Sequence, residues 1–123
     1  MPYTPPMSDD ALSRVRTMCL ALPETRESVS HGAPTWWVAK RTFANYTDDH
    51  HGDGRLALWL AAPPGLQETL VEEDPEVFFR PPYVGVRGWI GVRLDRELPW
   101  EQVEELIGEA WKAVAPPRLA KGR

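Results

Sequence analysis

The sequence predicts an α+β domain, an antiparallel sheet with the N- and C-terminal helices packed on one face. Three observations predict it. Apolar residues recur at helical spacing near both ends of the chain, the segments between them alternate like strands, and the breaks between those segments are short and rich in proline, glycine and charge. A chain of 123 residues forms one domain with room for a core. The expected bounds are a loose tail over 1–7, the domain over 8–117 and a basic tail over 118–123.

The elements follow in order. Ser8 or Asp9 is suited to cap a first helix running to about Leu22, with Leu12, Val15, Cys19 and Leu22 on one stripe and Pro23 as its stop. Residues 24–34 show no clear period and read as a loop. Thr35–Ala39 and Thr42–Thr47 are rich in aromatic and β-branched residues, a hairpin turning at Lys40-Arg41. Asp48–Gly54 is polar loop, and Arg55–Leu60 is a strand with Leu56, Leu58 and Leu60 on one face. Pro63-Pro64-Gly65 precedes a short helix containing Leu66 and Leu70. Asp74-Pro75 reads as a cap and first position of one more helical turn through Phe79, ended by Pro81-Pro82. Tyr83–Val86 and Gly88–Leu94 supply the last strand material. Pro99 opens the final helix, where Trp100, Val103, Leu106, Ile107, Ala110, Trp111 and Val114 form one stripe up to Pro116-Pro117.

Composition narrows the function class. A hydrophobic content of 42% with six tryptophans excludes a disordered chain. The longest apolar run, Leu56–Pro64, is far short of the about 20 residues a membrane helix needs. The start has neither a basic stretch nor an apolar one to act as a secretory leader, and a single cysteine forms no internal disulfide. A cytoplasmic protein without membrane contact is the expectation.

The net charge of −4 is unlike that of most nucleic-acid binders. Its distribution is uneven. Phe78–Arg96 carries Arg80, Arg87, Arg93 and Arg96 against Asp95, while Glu97–Val114 holds five glutamates against Lys112. A basic sheet region beside acidic helices can orient an anionic partner, and solvated helix faces account for the same pattern.

If helices cover one face, the other receives Arg55, Ala57, Trp59, Trp89, Gly91 and Arg93, together with either Trp36 or Trp37. Large aromatics on an open face mark interaction sites. Three arrangements would account for them: a second small core under the 24–34 loop, a homodimer interface, or a groove that stacks a planar ligand or base. In the groove reading Lys40, Arg41, Arg80, Arg87 and Arg93 meet phosphates and Trp36, Trp59, Tyr83 and Trp89 stack, with His31 at the edge of the pocket.

No segment supplies a reaction. Cys19 lies on an apolar helix stripe, where a thiol is structural. Asp49, His51 and Asp53 before Gly54 echo a calcium loop, but Leu60 stands where the bidentate glutamate belongs, so the segment reads as a solvated hairpin loop without metal. Nucleophile elbows, phosphate loops and paired cysteine motifs are lacking, and neither a cofactor nor enzymatic activity is expected.

Several segments together resemble the MmcQ/YjbR-like family: Leu20–Glu24, His31–Trp36, Lys40–Ala44, Pro81–Leu94, Trp100–Val103 and Ala115–Ala120. The most specific is Pro81–Leu94, and the likeness spans residues 10–120. It implies a compact helix–sheet–helix fold similar to that of CyaY. It also implies the DNA-binding role, through a "double wing", that has been proposed for the family. Gly88 stands before Trp89 where some relatives carry histidine. The resemblance brings no catalytic residues, and a fold analogy alone carries no iron site. The sequence thus points to a small binding protein, monomer or homodimer, whose partner is DNA or a planar small molecule.

Overall fold

The computed structural model describes residues 5–120, so the outermost parts of the two expected tails, 1–4 and 121–123, lie outside it. Helix α1 spans Pro5–Leu20 and is followed by strands β1 (Thr25–Ser30), β2 (Ala33–Val38), β3 (Arg41–Asp48) and β4 (Leu56–Leu60). Then come helix α2 (Leu66–Glu73), strands β5 (Phe78–Phe79) and β6 (Ile90–Arg93), helix α3 (Trp100–Val114) and a final turn, α4 (Pro117–Ala120). The six strands form one antiparallel sheet in the order β1-β2-β3-β4-β6-β5. The α+β architecture is the one the periodicities predict, and no described helix is long and apolar enough to cross a membrane.

Alternation sorts the strands' side chains into two layers. Trp36, Val38, Ala44, Leu58, Leu60, Ile90 and Val92 are buried in the layer that meets the helices. Helix α3 packs on β3 and β4 through Val103, Leu106, Ile107, Ala110 and Trp111, and α1 packs on β1 and α3 through Val15 and Cys19. Trp111 Nε1 donates to the carbonyl of Pro23, tying α3 to the stop of α1. Arg16 of α1 makes a bidentate pair with Glu27 of β1, at 2.8 and 2.9 Å, and Glu27 also accepts the indole N–H of Trp36.

The structure differs from the sequence reading in five places. Residues 25–30 are a strand rather than a loop. Their mixed composition (Thr-Arg-Glu-Ser-Val-Ser) gives no hydrophobic period because β1 is an edge strand held through backbone pairing with β2. The expected turn of helix through Phe79 closes at 74–78, where Asp74 O accepts the N–H groups of Val77 and Phe78, and Phe78-Phe79 then pairs with β6. Val84–Arg87 is a 3₁₀ turn, not strand, because the residues between Pro82 and Gly88 bond locally. Finally α1 starts at Pro5, inside the expected 1–7 tail, since prolines are tolerated where helix N–H groups lack partners. At the other end Arg118, expected in a basic tail, is a helix residue paired with Glu24 at 2.7 Å.

Candidate functional site

Opposite the helices, the sheet divides into a filled part and a hollow part. On the β4–β6–β5 side, Phe79 lies across Gly91, its pairing partner, where any Cβ would sit inside the ring. The Arg55 guanidinium stacks on that ring at 4.2 Å from its centroid. Arg93 is bound by Asp95 through two bonds of 2.9 and 3.0 Å. Burial alone would push the Asp95 carboxyl up, but the Arg93 bonds and the Leu56 N–H outweigh it and hold it below the usual range. This side is closed by its own side chains.

On the β2–β3–β4 side the face is hollow. A cavity of about 580 Å³ lies over Thr42, Asn45 and Thr47 of β3 and Trp59 of β4. Ser30, His31 and Ala33 at the β1–β2 turn form one wall, His50 and His51 of the loop after β3 another, and Tyr83 and Val84 a third. Local chemistry places each wall. His31 and Gly32 both have positive φ, 53° and 78°, the conformation of a tight two-residue hairpin turn. The His50 loop is capped from within, since Asp49 Oδ1 accepts the N–H of Gly54 at 2.7 Å and Asp53 Oδ1 that of Arg55 at 2.9 Å. The aspartates that echoed a calcium loop are thus engaged by backbone. No group of three metal-ligating side chains occurs among the described residues.

Tyr83 sits at the centre of a γ-turn of positive φ (φ 66°, ψ −67°), closed by a 2.7 Å bond from Val84 N–H to the Pro82 carbonyl. This conformation costs about 1–3 kcal/mol and is found where surrounding structure over-determines it, often at ligand clamps. Here the surrounding structure is Gln67, buried, whose side-chain amide donates to Gly85 O at 2.8 Å and to Trp89 O. The turn therefore holds Tyr83 out over the cavity, 74% exposed, with its ring edge-on to His50 at 6.3 Å between centroids.

Inside the wall, His50 stands edge-on to Trp59 at 4.8 Å and to His51 at 4.1 Å. Trp59 is 6% exposed, yet its indole N–H has no hydrogen-bond partner, and neither has the buried Nε2 of His50. These two atoms are the buried side-chain polar atoms without partners among the described residues, and both belong to residues of this cavity. Such orphans are costly and call for a ligand, water or ion.

Of the residues expected from sequence, the cavity gathers His31, Trp59 and Tyr83. Trp36 is corrected: it is wholly buried among the helices, and its neighbour Trp37 takes the opposite side, donating to Ser28 Oγ with Arg26 stacked on it. Trp89 is also corrected, being 3% exposed, held by Gln67 through its carbonyl and covered by Arg87 at 5.8 Å. Arg93 faces Asp95, so it is not a free phosphate ligand. Lys40, Arg41, Arg80 and Arg87 are exposed, and the strand registers put the first three at one end of the sheet, away from the His50 loop. The pairing of β1 with β2 removes the expected cover of residues 24–34 over the tryptophans, because that segment extends the sheet sideways. Sequence reasoning missed Asn45, His50 and Gln67 as site-forming residues. His50 was visible only as part of a polar loop, and nothing in the sequence links Gln67 to Trp89.

Three comparisons with known proteins bear on this architecture. The family model described as YjbR matches residues 20–113. A crystal structure of Deinococcus radiodurans protein DR2400, with a DUF419 domain, superposes with a TM-score of 0.74 at 21% identity, covering 90% of this chain and 86% of that one. At that identity the likeness establishes the fold alone. No curated protein matches the sequence.

Proposed function

The chain belongs to the YjbR family, and from that premise we propose that it is a small-molecule-binding module whose site is the cavity on the open side of the sheet. One observation carries the reading. The buried side-chain polar atoms left without partners, Trp59 Nε1 and His50 Nε2, both belong to the residues of a single cavity of about 580 Å³. That volume is the size of ordinary small-molecule sites, which are concave, mostly apolar and furnished with a few convergent polar groups. Trp59 and Tyr83 favour a planar ligand, stacked or met edge-on.

The rival reading, DNA contact through the aromatic and arginine face, has less support. Its stacking residues Trp36 and Trp89 are buried and Arg93 is engaged by Asp95. It keeps four exposed cations, Lys40, Arg41, Arg80 and Arg87. A thermal-shift screen of planar compounds, run beside a duplex DNA titration at two salt concentrations, separates the two. Stabilisation by a small molecule that is lost in His50→Ala supports the cavity. Salt-dependent DNA binding that is lost in the double variant Arg80→Ala/Arg87→Ala, with no small-molecule response, would refute it. In the same reading the protein works in the cytoplasm without needing a dimer.

A further inference from the structure

Resting on the cavity reading, we infer that the ligand is a neutral planar heterocycle whose ring N–H donates to Oδ1 of Asn45. Asn45 lies on the cavity side of β3, paired with Thr35 of β2 and with Trp59 of β4. Its amide has one orientation. The hydroxyl of Thr35, wholly buried, has a single proton and gives it to the carbonyl of Ala33 at 3.0 Å. Toward Asn45 that hydroxyl is therefore an acceptor, and Asn45 meets it with Nδ2 at 2.8 Å. A flipped amide would set Oδ1 against an oxygen with no proton left to give.

This orientation leaves Oδ1 free. It accepts no hydrogen bond among the described residues, and the atoms sealed without a partner are those of Trp59 and His50, not this one. Oδ1 is thus open to solvent, and the open space on this side of β3 is the cavity. An amide oxygen only accepts, so what it selects is a donor. A ring N–H fixes that donor in the plane of the ring, whose face can meet Tyr83, 74% exposed on the cavity wall. Neutrality follows from the lining, which holds three imidazoles but no aspartate, glutamate, lysine or arginine. Arginines on the same side of the sheet are engaged elsewhere: Arg26 lies over Trp37, Arg55 over Phe79, and Arg93 against Asp95. A charged ligand would give up hydration without a fixed counter-ion.

The test uses the full chain at pH 8 and a pair of probes that differ in one atom, quinolin-2(1H)-one and coumarin, in which a ring oxygen replaces the N–H. Two charged probes of the same shape, quinoline-2-carboxylate and N-methylquinolinium, complete the set. Calorimetry gives the affinities, and the backbone ¹H–¹⁵N resonances of Ser30, Asn45 and Tyr83 report binding in the cavity. The quinolinone is expected to bind at least about tenfold more tightly than coumarin, whose ring oxygen leaves Asn45 Oδ1 unpaired. In Asn45→Ala the two should bind within about threefold of each other. Equal binding in the parent, or a preference that persists undiminished in Asn45→Ala, overturns the Asn45 assignment and leaves the cavity reading standing. Preference for either charged probe overturns the neutral class. If no probe shifts those three resonances, both this inference and the cavity reading fall. The probe pair on the unmodified chain decides the matter even where Asn45→Ala fails to fold.

Discussion

Replacing Gln67 tests whether the turn carrying Tyr83 is held from beneath. Gln67 is 3% exposed, and its amide donates to two carbonyls of one short segment, those of Gly85 and Trp89. In Gln67→Leu the volume is nearly kept and both bonds vanish. Gly85 O retains the N–H of Gly88 at 3.1 Å, so its loss is partial. Trp89 O, in a residue 3% exposed, loses a donor that water cannot easily replace. An orphaned buried acceptor costs about 1–3 kcal/mol, so the expected loss is about 2–3 kcal/mol in all. For a domain of this size that lowers the melting temperature by roughly 10 °C. Gln67→Glu should cost more, because a carboxylate would present its lone pairs to two carbonyl oxygens. Urea unfolding followed by tryptophan fluorescence measures both variants, and amide exchange at residues 84–89 should accelerate in Gln67→Leu. A Gln67→Leu protein within about 0.5 kcal/mol of the parent, the scatter of neutral surface changes, would refute the reasoning.

Three further outcomes are expected. Gly91→Ala drives a methyl into the Phe79 ring and should cost about 1–3 kcal/mol by forcing β5 from β6, partly restored in Gly91→Ala/Phe79→Ala; a neutral Gly91→Ala would contradict the packing. Glu27, bonded first by Arg16, and Asp95, held down by Arg93 and Leu56 against its burial, both have carboxyls below their usual range. A lowered folded pKa means stability that is present above the unfolded value and lost as pH falls, so stability should decline below about pH 4.5, with a shallower decline in Asp95→Asn by acid titration of circular dichroism. Burial pushes the Cys19 thiol well up, so a thiol reagent at pH 8 should label it only on unfolding, and rapid labelling of the native protein would show α1 lifting from the sheet.

Much of the fold was legible because its signals are local. The α3 stripe from Trp100 to Val114 and the Leu56/Leu58/Leu60 alternation each bury one side of an element, and a periodic sequence records that directly. Where burial was not periodic the reading slipped. Edge strand β1 has half-exposed polar residues, and Phe78-Phe79 is too short to show a period at all. The candidate site was legible only in part. Trp59, Tyr83 and His31 stood out as residue types, but only packing shows that Trp36 and not Trp37 turns to the helices, and the choice between a free and a bound Arg93 depended on Asp95.

The sequence by itself determined the α+β class, the helix stripes, the positions of most strands and the family, because each is written in spacing and segment identity. Only the tertiary structure decided which aromatics face a cavity and which lie in the core. It also decided that the polar loop after β3 and the turn after Pro82 meet across the sheet. Residues 30, 45 and 59 are brought together by the pairing of the consecutive strands β1 to β4, and the segment between β5 and β6 carries residue 83 to them. The unpartnered atoms of Trp59 and His50 have no counterpart in one-dimensional pattern, since being without a partner is a property of everything that packs around an atom.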